Sequence, residues 1–294
     1  SSKNVRFRPT SALRKSALTE IVFRVRTMKN CVNVNIRTLK CNLCECVNEG
    51  KYGNGRNRQN DPYGDDGYRI PVRICQQTQF GGEIKIPIKN KKVEIFWSQI
   101  DEEIIQNELS SIDQFIHIHP VSRWQFKCIA DVTMAQIIDY CEQELCLKVV
   151  ITAAHDKPEL NKVDKILRLC QSNPINFSGK FTLKQTAALN NKAKLFIGVD
   201  TAIMHVSASN GIPVLAFFGP SGADHWGPWD NEFIESGYTK RNGFQTMGRH
   251  RVFAESRGCQ PCGQDGCDGT KISDCLMAMD VDAIKRNIQE MLIE

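Results

Sequence analysis

The patterning of residues 115–218 demands an α/β protein built on a doubly wound parallel sheet. Short apolar runs of strand length alternate there with longer segments whose apolar residues recur at helical spacing. That order places parallel strands beneath crossover helices. The chain has 294 residues, enough for one large domain or two ordinary ones, each with its own core. No apolar run approaches the ~18–20 residues of a membrane-spanning helix.

The most informative stretch is KLFIGVDTAIMHVSASNGIPVLAFFGPSGADHWGPW, residues 194–229. Its apolar run Leu195–Val199 predicts a buried strand. Asp200 and Thr201 follow at once, the residue types that cap a helix N-terminus. Residues 202–210 are the short helix, and Gly211 stands where a helix C-terminal glycine belongs. A second strand is predicted over 213–218, ended by Gly219-Pro220. The first turn of this strand–helix–strand unit suits an anion. Unpaired N–H groups and the positive end of the helix dipole converge there, at the carboxyl end of a strand. His205 lies within the first turns of the same helix and could reach the same ligand. Asp200 and Thr201 read equally well as a plain cap, and His205 as an ordinary helix histidine; pattern alone leaves both open.

The segments leading into this unit repeat its logic. Residues 100–109 have the spacing of an amphipathic helix. Phe115–His119 is a buried strand, and Pro120-Val121-Ser122-Arg123-Trp124-Gln125-Phe126-Lys127 is the loop at its carboxyl end. A hydroxyl, an arginine and a lysine on such a loop form a second candidate anion site, although Ser-Arg-Trp is also an ordinary surface sequence. A helix is predicted over 130–145, a parallel-type strand over 147–151, and a helix beginning at about Glu159 and ending near Cys170. An acidic residue just past a strand can bond the ribose hydroxyls of a nucleotide; an acidic residue in a first helical turn is also favoured by the dipole alone. A short strand at 176–178 and a helix at 182–190 complete the run. Residues 231–251 read as a polar connection containing Arg241, Arg249 and Arg251, and Val281–Ile293 as a closing amphipathic helix.

The first 95 residues are less regular. A helix or strand at 17–25, a strand at 31–36, a long Gly/Asn/Asp/Arg-rich loop at 48–67 and an edge strand at 84–88, limited by Pro87, are the elements they suggest. They hold 19 Lys and Arg against 8 Asp and Glu, whereas the remainder holds 19 against 25. A basic front half suits an acidic partner such as a phosphorylated glycolipid, an anionic membrane surface or nucleic acid, or is simply a solvated basic surface. The first thirty residues lack an uninterrupted apolar core of a signal peptide, so a cytoplasmic protein is expected.

Nine of the 13 cysteines are scattered, several in apolar contexts where a thiol packs as a small hydrophobe. The last four, Cys259, Cys262, Cys267 and Cys275, form a Cys-x2-Cys-x4-Cys-x7-Cys cluster. Four thiolates suit tetrahedral zinc, with Gly-Asp-Gly supplying the turns, and free or occasionally oxidised thiols are the alternative.

The run GVDTAIMHVSASNGIPVLAFFGPSGADHWGPW resembles the signature of glycosyltransferase family 9, the ADP-heptose:lipopolysaccharide heptosyltransferases: a Gly-(Val/Asn)-Asp-Thr-x-x-x-His block, a strand ending in Phe-Gly-Pro, then Trp-Gly-Pro. HPVSRWQFKC is similar to the heptosyltransferase III subgroup, which adds a branch heptose to the inner core. The resemblance implies a two-domain GT-B fold. Residues 96–294 would be its Rossmann-like donor domain, and 1–95 would stand in the acceptor-domain position, divergent or truncated. It implies ADP-heptose as donor, no required cofactor, and an inner-core lipopolysaccharide acceptor at the cytoplasmic face of the inner membrane of a Gram-negative bacterium. Donor-binding residues would be Ser122, Arg123 and Lys127 around the diphosphate, Glu159 on the ribose, and Asp200, Thr201, Ala202 and His205 at the signature turn.

In that family an Asp of an N-terminal Gly-Asp pair is the expected general base of an inverting transfer. Residues 1–95 offer only Gly64-Asp65-Asp66, in a polar loop, so the base is unassigned. The leaving ADP would be stabilised by the helix N-terminus, Thr201, Ser122 and Lys127. Asp200 would cap the turn or bind heptose hydroxyls rather than phosphate. Two rival readings follow from the same features. One is a nucleotide-sugar-binding remnant without transferase activity, because the base motif is missing; the other is a basic nucleic-acid-associated protein with a zinc knuckle. A different GT-B donor, such as a UDP-sugar, fits the first reading too.

Overall fold

The computed structural model describes residues 91–293. The elements suggested at 17–25, 31–36, 48–67 and 84–88, and the Gly64-Asp65-Asp66 loop, lie outside the described residues.

Seven strands form one sheet: β1 (Phe115–His119), β2 (Lys148–Ile151), β3 (Ile175–Asn176), β4 (Leu195–Val199), β5 (Val214–Phe217), β6 (Gln245–Met247) and β7 (His250–Phe253). Their order is β3-β2-β1-β4-β5-β7-β6, parallel throughout except where β6 pairs antiparallel with β7. The chain runs outward from β1 to β2 and β3, then returns to β4 on the other side of β1 and runs outward the other way. Adjacent crossovers therefore diverge between β1 and β4, which are in register with Ile118 beside Ile197 and His119 beside Gly198. That divergence opens a crevice at the carboxyl ends of these two strands, the place where open α/β sheets bind ligands.

Helices cover both faces. α1 (Gln99–Glu108), α4 (Leu183–Asn190) and α5 (Ala202–Ser209) lie on one side; α2 (Asp131–Asp139), α3 (Lys157–Leu169) and α8 (Val281–Ile293) lie on the other, with α6 (Ala223–Trp226) and α7 (Asp274–Met277) as single turns. The strict alternation of a strand sorts the core. Ile116, Ile118, Val149, Ile151, Ile197 and Phe217 face Met134, Ile138, Val163, Ile284 and Ile288. Phe115, Val150, Phe196, Val214 and Ala216 face the opposite layer, with Ile105, Leu189 and Met204. α1 and α4 start at capping boxes built on Ser98 and Thr182, each satisfying two end groups reciprocally. Gly211 closes α5 at φ +73°, the left-handed position its place in the sequence predicts.

Two expectations need correction. The helix predicted over 130–145 ends as α-helix at Asp139 and continues as a π-type turn, Tyr140–Glu144. The polar connection at 231–251 contains β6 and the first half of β7. β7 is wholly buried although half its residues are polar. Arg251 is tolerated there because α8 brings Glu290 and Asn287 to 2.6 and 2.7 Å from its guanidinium. A strand whose charge is answered by a distant helix carries no apolar signature of its own. At the other end of the described chain, the Asn231 side-chain amide accepts from Val93 N at 2.8 Å and donates to Val93 O at 2.9 Å.

A buried polar chain joins four of these elements beneath the crevice. Ser207 donates to Ile203 O, so its hydroxyl accepts from Asn190 Nδ2 at 2.7 Å. The same Asn190 amide donates to His117 Nδ1 at 3.0 Å, and its oxygen accepts from Asn210. His117 therefore carries its proton on Nε2 and donates to Thr152 Oγ1 at 2.7 Å, leaving the Thr152 hydroxyl to donate to His119 Nδ1 at 2.9 Å. Replacing Asn190 by Leu strands His117 Nδ1, Ser207 and Asn210 together. Chemical denaturation should show a loss of about 2–3 kcal/mol, the cost of buried groups left without partners; an unchanged midpoint would contradict this network.

Candidate functional site

Four loops meet at the carboxyl ends of β1, β2, β4 and β5. The first is anchored by Val121 and Phe126, both buried. Ser122 Oγ accepts from Trp124 N at 3.2 Å, a local hydroxyl turn. A 3₁₀ turn over Gln125–Lys127 then brings the Lys127 side chain inward. Its ammonium lies 2.6 Å from Asp200 Oδ2.

Asp200 sits at the end of β4, 6% exposed. A carboxylate this far out of water needs donors, and it has two on the same oxygen: Lys127 Nζ and Ser221 Oγ, each at 2.6 Å. Asp200 is thus the anchor of three loops rather than a helix cap. Thr201 does hold the N-cap position of α5, with extended backbone at φ −145° and ψ 170°, but its side chain makes no capping bond. Its Oγ1 is buried and, among the described residues, has no hydrogen-bond partner. Ala202 opens the helix beside it, exposed. An unpaired hydroxyl among the free N–H groups of a helix start is a donor set for an anion.

His205 follows one turn later. Burial lowers its pKa, Asp200 opposes that shift and Lys127 adds to it, so the imidazole stands in the field of the Lys127–Asp200 pair and is neutral at pH 7. Lys127 has three N–H donors and gives one to Asp200, leaving capacity for a ligand's oxygens.

The β2 loop is organised by Glu159 in the first turn of α3. The side chain is buried, and Oε2 accepts from Ala154 N at 2.9 Å. Burial raises its pKa, the Ala154 bond lowers it and Asp156 raises it again. One carboxylate oxygen therefore shapes the loop, and the group has a second. Arg123, by contrast, is exposed, its guanidinium 5.5 Å from the centre of the Trp124 ring, which in turn stacks on Phe126 at 5.9 Å. The structure brings Lys127, Asp200, Thr201 and His205 to one place. It sets Ser122 in the same loop as Lys127, and Arg123 on that loop's exposed surface.

Ser221 is a site residue the sequence reading passed over. The signal was available, because it is a hydroxyl directly after a strand-ending Gly-Pro, the logic already applied to Ser122. Beside it opens a cavity of about 400 Å³. Its walls are Phe126 and Lys127, residues 220–222 with His225 and Trp226, and residues 261–264.

The late cysteines differ in their burial. Among the described residues no group of three or more His, Cys, Asp or Glu side chains is placed to hold a metal ion. Cys259 and Cys262 are exposed and Cys267 is half-buried. Cys275 is buried under Gly219, whose added Cβ would lie 3.3 Å from its sulfur. Burial pushes the Cys275 thiol up to about 11, against the pull of Arg257. The loop's exposed thiols and the core thiol face different surroundings, and all four are free.

Burial also holds His119 down, from the usual 6.5 to about 4, and His117 well below 6.5 with His119 adding to the effect. An unfolded chain protonates these imidazoles at about 6.5, so the unfolded state gains protons first as pH falls. Their contribution is full above 6.5 and lost towards 4. Urea midpoints should hold from about pH 8 to pH 7 and fall steadily below about pH 6.5, with His119→Gln flattening the decline; a midpoint indifferent to pH across this range would contradict the buried neutral pair.

Comparison with known proteins fits this geometry. The profile of glycosyltransferase family 9 (heptosyltransferase) matches residues 77–252. Two Escherichia coli proteins called lipopolysaccharide heptosyltransferase 3 are 34% identical over 122 residues and, in strain K12, 33% identical over 140 residues. These alignments cover 41% and 47% of this chain and 36% and 40% of the relatives. The chain thus spans less than half the length of the curated relatives it matches. Among solved structures, E. coli ADP-heptose lipopolysaccharide heptosyltransferase II superposes with a TM-score of 0.53 at 17% identity, covering 71% of this chain and 56% of that one. A family 9 glycosyltransferase from Veillonella parvula gives 0.54 at 21%, covering 68% and 54%. Among the described residues no helix is long and apolar enough to cross a membrane.

Proposed function

Because the chain belongs to glycosyltransferase family 9, the heptosyltransferases, we propose that residues 96–294 bind ADP-heptose across the crevice between β1 and β4. The complete protein would then transfer the heptosyl group to the inner core of lipopolysaccharide, at the cytoplasmic face of the inner membrane. The observation that carries this reading is the Lys127–Asp200–Ser221 centre, placed beside the unpaired Thr201 hydroxyl at the start of α5. A diphosphate needs several donors converging from different elements, and these come from three loops and a helix end.

The order of the strands supports the following layout for the donor. Glu159, at the β2 end, takes the ribose through its remaining oxygen. Lys127, with Ser122 and Arg123 on the same loop, takes the diphosphate together with Thr201, the Ala202 N–H and His205. Asp200 keeps Lys127 in place and, being anionic, meets sugar hydroxyls rather than phosphate. In the transfer, an acceptor hydroxyl oxygen bonds to the anomeric carbon as the bond from that carbon to the phosphate oxygen breaks. The leaving ADP takes the electron pair. Negative charge grows on the departing oxygen, and Lys127 and the helix N-terminus are preorganised to meet it without a metal ion. A neutral His205 can donate one hydrogen bond to the same oxygens without the desolvation cost of a second buried cation. The acceptor proton requires a base, which this reading leaves to a group outside the described residues.

Titration with ADP-heptose tests the assignment. Lys127→Ala should weaken binding by about 1.5–3 kcal/mol, the range for a hydrogen bond to a charged partner, and His205→Ala by about 1 kcal/mol. Wild-type affinity in both variants would exclude this crevice as the donor site. Adding heptose-deficient core lipopolysaccharide and following mass gain in the lipid then separates a transferase from a donor-binding remnant.

A further inference from the structure

Residues 257–274 follow the family-matched region, which stops at residue 252, and the functional reading above gives them no role. Yet their hydrogen bonds converge on the site. Gln260, 1% exposed, donates its amide to Gly219 O at 3.0 Å. Gly263 N donates to Pro220 O at 2.9 Å. Ser273, 2% exposed, donates its hydroxyl to Phe126 O at 2.7 Å, across 147 residues of chain. Gly219 and Pro220 directly precede Ser221, and Phe126 directly precedes Lys127. The carbonyls of Phe126 and Pro220 belong to the same rigid peptide units as the N–H groups of Lys127 and Ser221. One segment therefore fixes the peptide planes from which both donors to Asp200 extend.

The segment is itself held firmly. Asn242 Nδ2 donates to Arg257 O at 2.7 Å and to Gln260 O at 3.1 Å. Cys275 and Leu276, next to Ser273, are buried in the core under Gly219, where an added Cβ would lie 2.6 Å from Leu276. Residues 261–264 meanwhile wall the 400 Å³ cavity opposite Lys127 and Ser221.

We propose that residues 257–274 are a working wall of the donor site, in which Ser273 and Gln260 are positioning residues that hold Lys127 and Ser221 onto Asp200. They touch no substrate and act through the two donors. The inference rests on the donor-site reading above and adds to it a part of the chain that the family profile does not cover. Packing alone would make the segment a stabilising buttress whose loss lowers the melting temperature without singling out Lys127. Positioning makes a sharper demand: the effect of Ser273 on ligand binding must pass through the Lys127 side chain.

The test is a double-mutant cycle on the full chain, read as ADP affinity by calorimetry, with Ser273→Ala, Lys127→Ala and the double variant. Ser273→Ala should weaken ADP binding about three- to tenfold, the effect of one lost buried hydrogen bond. Ser273→Thr, which keeps the hydroxyl, should restore binding to within about twofold of wild type. In the Lys127→Ala background the further loss should disappear. Gln260→Leu paired with Ser221→Ala runs the same cycle on the other donor and keeps the test decisive if Ser273→Ala does not fold. Wild-type ADP affinity in Ser273→Ala and Gln260→Leu, or losses that persist in full without Lys127 and Ser221, would overturn the proposal while leaving the donor site standing. Wild-type affinity in Lys127→Ala would instead sink the donor-site reading, and this inference with it.

Discussion

A carboxylate removed from water must be answered, and the way Asp200 is answered organises this molecule's working end. Its two donors arrive from loops that follow different strands, Lys127 after β1 and Ser221 after β5, and both reach one oxygen at 2.6 Å. Neither loop has a regular structure to hold it. The ion pair with Lys127 is largely shielded, so solvent screening weakens it less than a surface pair. Because Asp200 ends the central strand of the sheet, these contacts tie the loops to the most rigid part of the fold. The electrostatic consequence is a lysine and a helix N-terminus near one another, with the pKa of His205, one turn into the same helix, lowered by burial.

The sheet makes this centre possible by its winding. Crossovers that part between β1 and β4 leave the carboxyl ends of those strands uncovered. Beneath that opening the chain from Ser207 through Asn190, His117 and Thr152 to His119 stitches α5, α4, β1 and the β2 loop together, with every proton assigned by its partners. Both imidazoles are uncharged for the same reason, burial. Pairing these groups with one another offsets the cost of placing them this deep, and the paired chain favours one arrangement of the strands and helices that carry it. The region beneath the β1–β4 crevice is thereby cross-linked between sheet and helices.

What could be read from the sequence follows from how local each signal was. β1, β4, α8 and the Gly211 turn were visible because burial on both faces, amphipathic spacing or a left-handed backbone leaves a mark within a few residues. β7 was hidden, since Arg251 is neutralised by Glu290, 39 residues away. At the turn after β4 the residue types were legible but their bonding was not: Thr201 looked like a cap and leaves its hydroxyl unpaired, while Asp200 looked like a cap and serves as a hub. Ser221 carried the same local mark as Ser122, a hydroxyl on the loop at the carboxyl end of a strand, but its bond to Asp200, 21 residues earlier, leaves no mark in the sequence. For the late cysteines spacing measures only chain length, and it does not show that Cys275 is buried beneath Gly219 whereas Cys259 and Cys262 are exposed.

The central claim is that the Asp200 hub presents Lys127 and the start of α5 to a diphosphate. A crystal structure of the full chain soaked with ADP tests it most directly. The account predicts diphosphate oxygens within about 3 Å of Lys127 Nζ and Thr201 Oγ1, with Lys127 still bonded to Asp200. A diphosphate bound away from the β1–β4 crevice, with the Thr201 hydroxyl untouched, would contradict it.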